Sequence, residues 1–204
     1  MNRFKLFSIV SILFCLPLLA SPAKSCVGRI LTVAIFQSAD QNVMGNMLSV
    51  FINERTGTTV LLKKVSTMAD CFRLVKDGDA DIFIGYIGAS LPDKKQVLAG
   101  GSPEETYSLV KQYYRENFGM VWLKPYEYHG PIPVGSDGAG SKGSLACVVT
   151  TRKVLDRFPI LDRVINKLSN RIDDNAMKEL IASIASSGNA EQVVKAFLKK
   201  RNLI

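Results

Sequence analysis

From Arg29 onward the chain alternates short apolar runs with stretches of helical period, and this alternation restricts its fold more than any other feature. Ile30 to Phe36 is a continuous apolar run of strand length; Val43, Met44, Met47, Leu48 and Phe51 then recur on one side of a helix. Gly57 ends that helix, Thr58 to Leu62 reads as a second strand and Met68 to Lys76 as a second helix. Gly78 stops the second helix before Ala80 to Gly85, a third strand. Two βαβ units follow, and with them a parallel sheet.

The pattern continues downstream. Pro103 suits a first helical turn, and the helix it opens runs through Tyr107, Val110 and Tyr114 to Gly119. Met120 to Leu123 is a fourth strand that Pro125 is expected to close. Tyr126 to Gly143 holds Pro131, Pro133 and five glycines, a composition of irregular backbone, and Ser144 to Thr150 resumes as a fifth strand. Beyond Thr151 the periodicity is helical, with Asn189 and Gln192 forming a capping-box variant before the last helix. The expected class is α/β, a mostly parallel five-stranded sheet flanked by helices.

The first residues belong to a different regime. Arg3 and Lys5 precede an apolar run from Leu6 to Leu19, and Ser21 and Ala23 offer small residues for cleavage, so residues 1–23 read as an export signal. The run is short for a membrane span, and an uncleaved anchor is the alternative. Cys26 lies in a sequence that only faintly matches a lipoprotein box, which makes lipid anchoring there the lesser option against a free periplasmic or exported protein. Residues 24–204 fit one domain. Of the four cysteines Cys15 leaves with the signal; Cys71 and Cys147, on a helix and a strand, are the pair that could form a disulfide, and no spacing suits zinc. Losing Arg3 and Lys5 lowers the net charge from +8 to +6. The remaining cations are scattered in pairs, without a basic stripe, so a nucleic-acid partner is not expected.

Residues 112–125, QYYRENFGMVWLKP, and 158–181, FPILDRVINKLSNRIDDNAMKELI, resemble two segments of the glycine betaine and choline binding proteins of bacterial ABC importers. Those proteins close two α/β lobes over a quaternary ammonium compound. Here only Tyr126 to Arg157 separate the two segments, too few residues for a second lobe. The resemblance therefore implies a single lobe of the type II periplasmic binding fold, with 126–143 a Gly/Pro-rich bridge in place of the missing lobe. It also implies an ABC permease as partner.

The resemblance reaches individual residues and then departs from them. Where the family has a Gly-Ser-Lys-x-Phe-Thr-Glu-Gln-like segment after its first strand, this chain reads Ala34 to Gln41, keeping an acid at Asp40 and the amide of Gln41. Glu-Tyr-Thr-Gly-Thr becomes Gly85 to Ala89, keeping Tyr86 and Gly88. Trp-Leu-x-Pro-x-x-Phe-Asn-Asn-Thr becomes Trp122 to Pro131, keeping an aromatic at Tyr128 and losing the polar trio. A trimethylammonium group donates no hydrogen bonds and is held by aromatic faces, so Tyr86 and Tyr128 are the candidate ligand contacts, with Asp40 and Gln41 beside them. Capping of the first helix is the competing role for Asp40 and Gln41.

Enzymatic readings fail. Gly135 to Ser144 lacks the Gly-Lys-Ser/Thr ending of a phosphate loop, His129 is the sole histidine and has no nucleophile motif near it, and Asp173 and Asp174 suit a helix start. No cofactor is implied. Two roles remain open: a solute-binding component with weakened or lost capture, or a protein-interaction module, self-associating or hetero-associating, anchored by Trp122 or Tyr128.

Overall fold

The computed structural model describes residues 28–90, 102–130 and 144–204. Residues 1–23, read as an export signal, Cys26 and most of the segment 126–143, read as a bridge, lie outside the described residues. In chain order the elements are β1 (Ile30–Phe36), α1 (Ala39–Thr56), β2 (Thr59–Val65), α2 (Met68–Asp77), β3 (Ile82–Tyr86), α3 (Pro103–Phe118), β4 (Met120–His129) and β5 (Leu145–Thr151). Then come α4 (Arg152–Arg157), α5 (Leu161–Ile165), a 3-10 segment (Asn166–Arg171), α6 (Asp174–Ser187) and α7 (Ala190–Lys200). The apolar period after Thr151 is thus broken into short pieces. Pro159 forces Phe158 out of helical geometry, to φ −125° and ψ 76°, and ends α4 there.

The five strands form one sheet in the order β2-β1-β3-β5-β4. β1 is parallel to β2 and to β3, as the βαβ pattern requires. β5 is antiparallel to both of its neighbours. The reason is connectivity: α3 carries the chain from β3 past one vacant position to β4, and β5 then returns into the gap with no crossover helix. At the mouth of that return the Gly130 N–H bonds the Ser144 carbonyl at 2.9 Å, so the bridge leaves and re-enters the sheet at adjacent points.

Both faces of the sheet are covered. Leu31, Val33, Ile35, Ile82, Ile84, Ala146 and Val148 pack with α1 and the C-terminal helices, while Ala34, Phe83, Cys147 and Val149 pack with α2 and α3. β1, β3 and β5 alternate faces residue by residue, yet both of their faces are buried and largely apolar, which is why they read as unbroken runs, whereas edge strand β2 leaves Leu61, Lys63 and Lys64 exposed.

β4 departs from this regularity and from the expectation that Pro125 would close it. The strand continues to His129 because it lies at the sheet edge, where a missing N–H costs no ladder bond. Its register to β5 slips twice, between Trp122 and Pro125 and between Pro125 and His129. The first slip reverses the side chains. Trp122 faces α3 with the second cluster, whereas Tyr126 and Tyr128, of the same parity, face the α1 side. The outer edge of β4 is capped residue by residue: Asn166 Oδ1 accepts from Lys124 N–H at 3.0 Å, the Ile172 carbonyl from Glu127 N–H at 3.2 Å, and Asp174 Oδ1 from His129 N–H at 2.7 Å.

Candidate functional site

All four residues singled out by sequence belong to one neighbourhood, at the carboxyl ends of β1, β3 and β4 on the α1 side. Asp40 and Gln41 stand in the first turn of α1, Tyr86 is the last residue of β3, and Tyr128 is one residue from the end of β4. In open α/β sheets this is where ligands bind.

The capping role for Asp40 and Gln41 is not what the structure holds. Ser38 is the N-cap of α1 and makes no side-chain cap. Its hydroxyl instead donates to Asp40 Oδ1 at 2.6 Å, and the other Asp40 oxygen accepts from the Tyr86 hydroxyl. Gln41 Nε2 donates to the Tyr86 hydroxyl at 2.9 Å and to the Ile84 carbonyl at 3.2 Å. Asp40, Gln41 and Tyr86 are thereby joined in one buried network, the carboxylate also lying where the helix dipole favours a negative charge. Burial, then the Asp40 charge and hydrogen bond, push the Tyr86 phenol far up, so it stays a neutral donor.

The aromatic faces are occupied as well. A Cβ placed on Gly130 would stand 2.0 Å from a Tyr86 ring carbon, so the main chain at the end of β4 lies directly on that ring. Phe36 meets another side of it edge-on, with centroids 6.3 Å apart. Tyr128 is fully buried and stacks on Tyr126 at 6.1 Å and 24°. Tyr86 and Tyr128 are both buried, Tyr128 because the bulges of β4 turn it into the core. Trp122 is likewise buried, 1% exposed, so the anchors named for a docking module are core residues.

Two members of this neighbourhood escaped the sequence reading. Tyr126 is hidden by the register slip, which no local motif announces, and Gly130 lay inside a stretch read as irregular. Gln41 Oε1 and the hydroxyls of Tyr126 and Tyr128 are buried and have no hydrogen-bond partner among the described residues. Burial pushes both phenols up, with Tyr86, Asp40 and Tyr126 adding to the effect at Tyr128.

The remaining candidates have structural roles. Asp173 caps α6 through Ala176 N–H at 2.7 Å, as expected, whereas Asp174 turns to His129, whose Nδ1 lies 2.9 Å from its second carboxylate oxygen. Cys71 and Cys147 are both buried and free, so the possible disulfide between them is not formed. The Cys147 thiol donates to the Leu123 carbonyl at 2.8 Å, while burial, with the neighbouring Asp70 charge, pushes the Cys71 thiol up to about 12. Among the described residues no group of three His, Cys, Asp or Glu could hold a metal, and no helix is long and apolar enough to cross a membrane. A hollow of about 500 Å³ lined by Arg29, Ile30, Asp156, Arg157 and Phe158 opens at the other, amino-terminal end of β1.

Residues 30–131, half of the chain, match the OpuAC family, described as the substrate binding domain of the ABC-type glycine betaine transport system, and the chain belongs to that family. Among solved structures it is similar to a glycine betaine/carnitine/choline ABC transporter protein at TM-score 0.71 and 14% identity, over 86% of this chain and 98% of that one. It is similar to ligand-free YehZ of Escherichia coli at TM-score 0.68 and 13% identity, over 85% and 99%. A lactococcal OpuAC in its closed, glycine betaine-bound form matches at TM-score 0.55 and 11% identity, over 85% and 96%. At such identities these likenesses establish the fold.

Proposed function

We propose that the chain is an exported, single-lobed solute-binding component related to importers of glycine betaine and choline, in which capture of quaternary ammonium compounds is weakened or lost. One observation supports this above the others. The residues at the positions where the family resemblance puts ligand contacts are engaged with one another: Tyr86 with Asp40 and Gln41 through its hydroxyl, and with Gly130 across its ring.

A trimethylammonium group needs open aromatic faces, each contributing about 0.5–2 kcal/mol. Uncovering the Tyr86 face would mean lifting the β4 end from it, which offsets such a gain. An ABC permease or another exported protein remains the partner this reading implies.

Isothermal titration of the chain from Lys24 with glycine betaine, choline and carnitine tests the proposal. Dissociation constants far weaker than about 10 mM are expected. Micromolar binding that Tyr86→Phe weakens would restore the importer role and refute the proposal. Absence of binding together with concentration-dependent self-association would favour the interaction module, although neither Trp122 nor Tyr128 is placed to anchor it.

A further inference from the structure

We infer that the strand-end cluster has exchanged cation–π recognition for hydrogen-bond recognition, so that the ligand it suits is a small ammonium bearing N–H donors, a primary or secondary amine, rather than a quaternary one. The inference rests on the proposed loss of quaternary ammonium capture and specifies what replaces it.

The argument runs over what each group still offers. Ring faces are used up: Tyr86 lies under Gly130 and against Phe36, and Tyr126 and Tyr128 stack on each other. Hydrogen-bonding capacity is not used up. Gln41 Oε1, an acceptor on a residue with no exposed surface, has no partner among the described residues, and neither has the hydroxyl of Tyr126 or of Tyr128. Buried polar groups left in this condition require an explanation, and a bound polar occupant is one. Its charge is indicated by Asp40, a 7% exposed carboxylate whose partners are the hydroxyls of Ser38 and Tyr86; no ion pair among the described residues reaches it.

Acceptor, hydroxyls and an unneutralised carboxylate together favour a cation that donates hydrogen bonds. A quaternary nitrogen has no hydrogen to give to Gln41 Oε1 and would leave it unsatisfied. A protonated primary amine supplies that hydrogen and the positive charge at once.

The test is a methylation ladder: ethanolamine, N-methylethanolamine, N,N-dimethylethanolamine and choline, which share one arm and lose one N–H donor at each step. Isothermal titration should give the tightest binding for ethanolamine and at least about tenfold weaker binding for choline, the value of one charge-assisted hydrogen bond. Gln41→Leu should flatten the ladder. Should that variant fail to fold, Tyr128→Phe, which removes only an unpaired hydroxyl, should weaken ethanolamine binding while leaving the melting curve cooperative.

Equal affinity along the ladder, or affinity rising with methylation, overturns the inference, and so does a lack of binding by every member. The outcomes separate the two readings. Micromolar choline binding defeats the proposed function itself, whereas silence from all four amines leaves that function standing and removes only its replacement ligand.

Discussion

Tyr86 and Tyr128 end up on neighbouring parts of one sheet, at the carboxyl ends of β3 and β4 with only β5 between them, and both are buried. Their hydroxyls are treated in opposite ways. That of Tyr86 donates to Asp40 and accepts from Gln41, whereas that of Tyr128 meets no partner among the described residues. Burial of a hydroxyl without a hydrogen bond costs about 1–3 kcal/mol, so the two residues should differ in what they contribute to stability. Tyr86 has become part of the framework. Tyr128 keeps a group that the fold does not use.

The most damaging way to break the comparison is at the glycine that roofs Tyr86. Gly130→Ala puts a methyl 2.0 Å from a ring carbon and forces the ring or the β4 end to move. A loss of about 3 kcal/mol is expected, measured by urea denaturation, because the clash involves backbone on one side and a fixed ring on the other.

Tyr86→Phe keeps the ring and removes the hydroxyl, leaving a buried Asp40 oxygen and the Gln41 amide without their partner. A loss of about 2 kcal/mol follows from the asymmetry between a missing bond and a missing pair. The same measurement on Tyr128→Phe should give no loss and a gain of up to about 1–3 kcal/mol, since it removes a hydroxyl buried without a partner. Equal losses for the two variants would erase the distinction.

A smaller effect concerns the clamp that holds the β4 end in place. Partial burial raises the Asp174 pKa, but the hydrogen bonds from the His129 backbone and ring, with the charges of His129 and Lys178, outweigh it and hold the carboxyl below its ordinary 3.8. A folded-state value below the unfolded one means that this group stabilises the protein above the unfolded value and ceases to do so as pH falls through the folded one. The contact is half-exposed and screened by solvent, so Asp174→Asn should cost no more than about 0.5 kcal/mol at neutral pH, and the gap to the parent should narrow in acid below pH 3.8, as followed by thermal melting.

Much of this architecture was legible in the chain. The βα alternation fixed β1 to β3 and their parallel pairing, and Gly57 and Gly78 marked the ends of α1 and α2 where the structure has them in left-handed geometry. The site residues were legible in identity but not in arrangement. Asp40 and Gln41 look like cap residues because the chemistry that satisfies orphan amides also satisfies a buried phenol, and only the placement of β3 beside α1 decides between them. β4 was the least legible element. Pro125 normally signals the end of a strand, but at a sheet edge it interrupts nothing, and the register slips that turn Tyr126 and Tyr128 inward depend on pairing with β5, more than a dozen residues later.

The central claim is that the Tyr86 ring and hydroxyl are already occupied. It is tested most directly by NMR of the protein labelled at tyrosine ring carbons, titrated with glycine betaine to about 10 mM, a level that would half-saturate even a very weak site. Unmoved Tyr86 ring signals are predicted. A saturable shift of Tyr86, shared by Tyr128 and removed by Gly130→Ala, would contradict the account and return both tyrosines to a working aromatic cage.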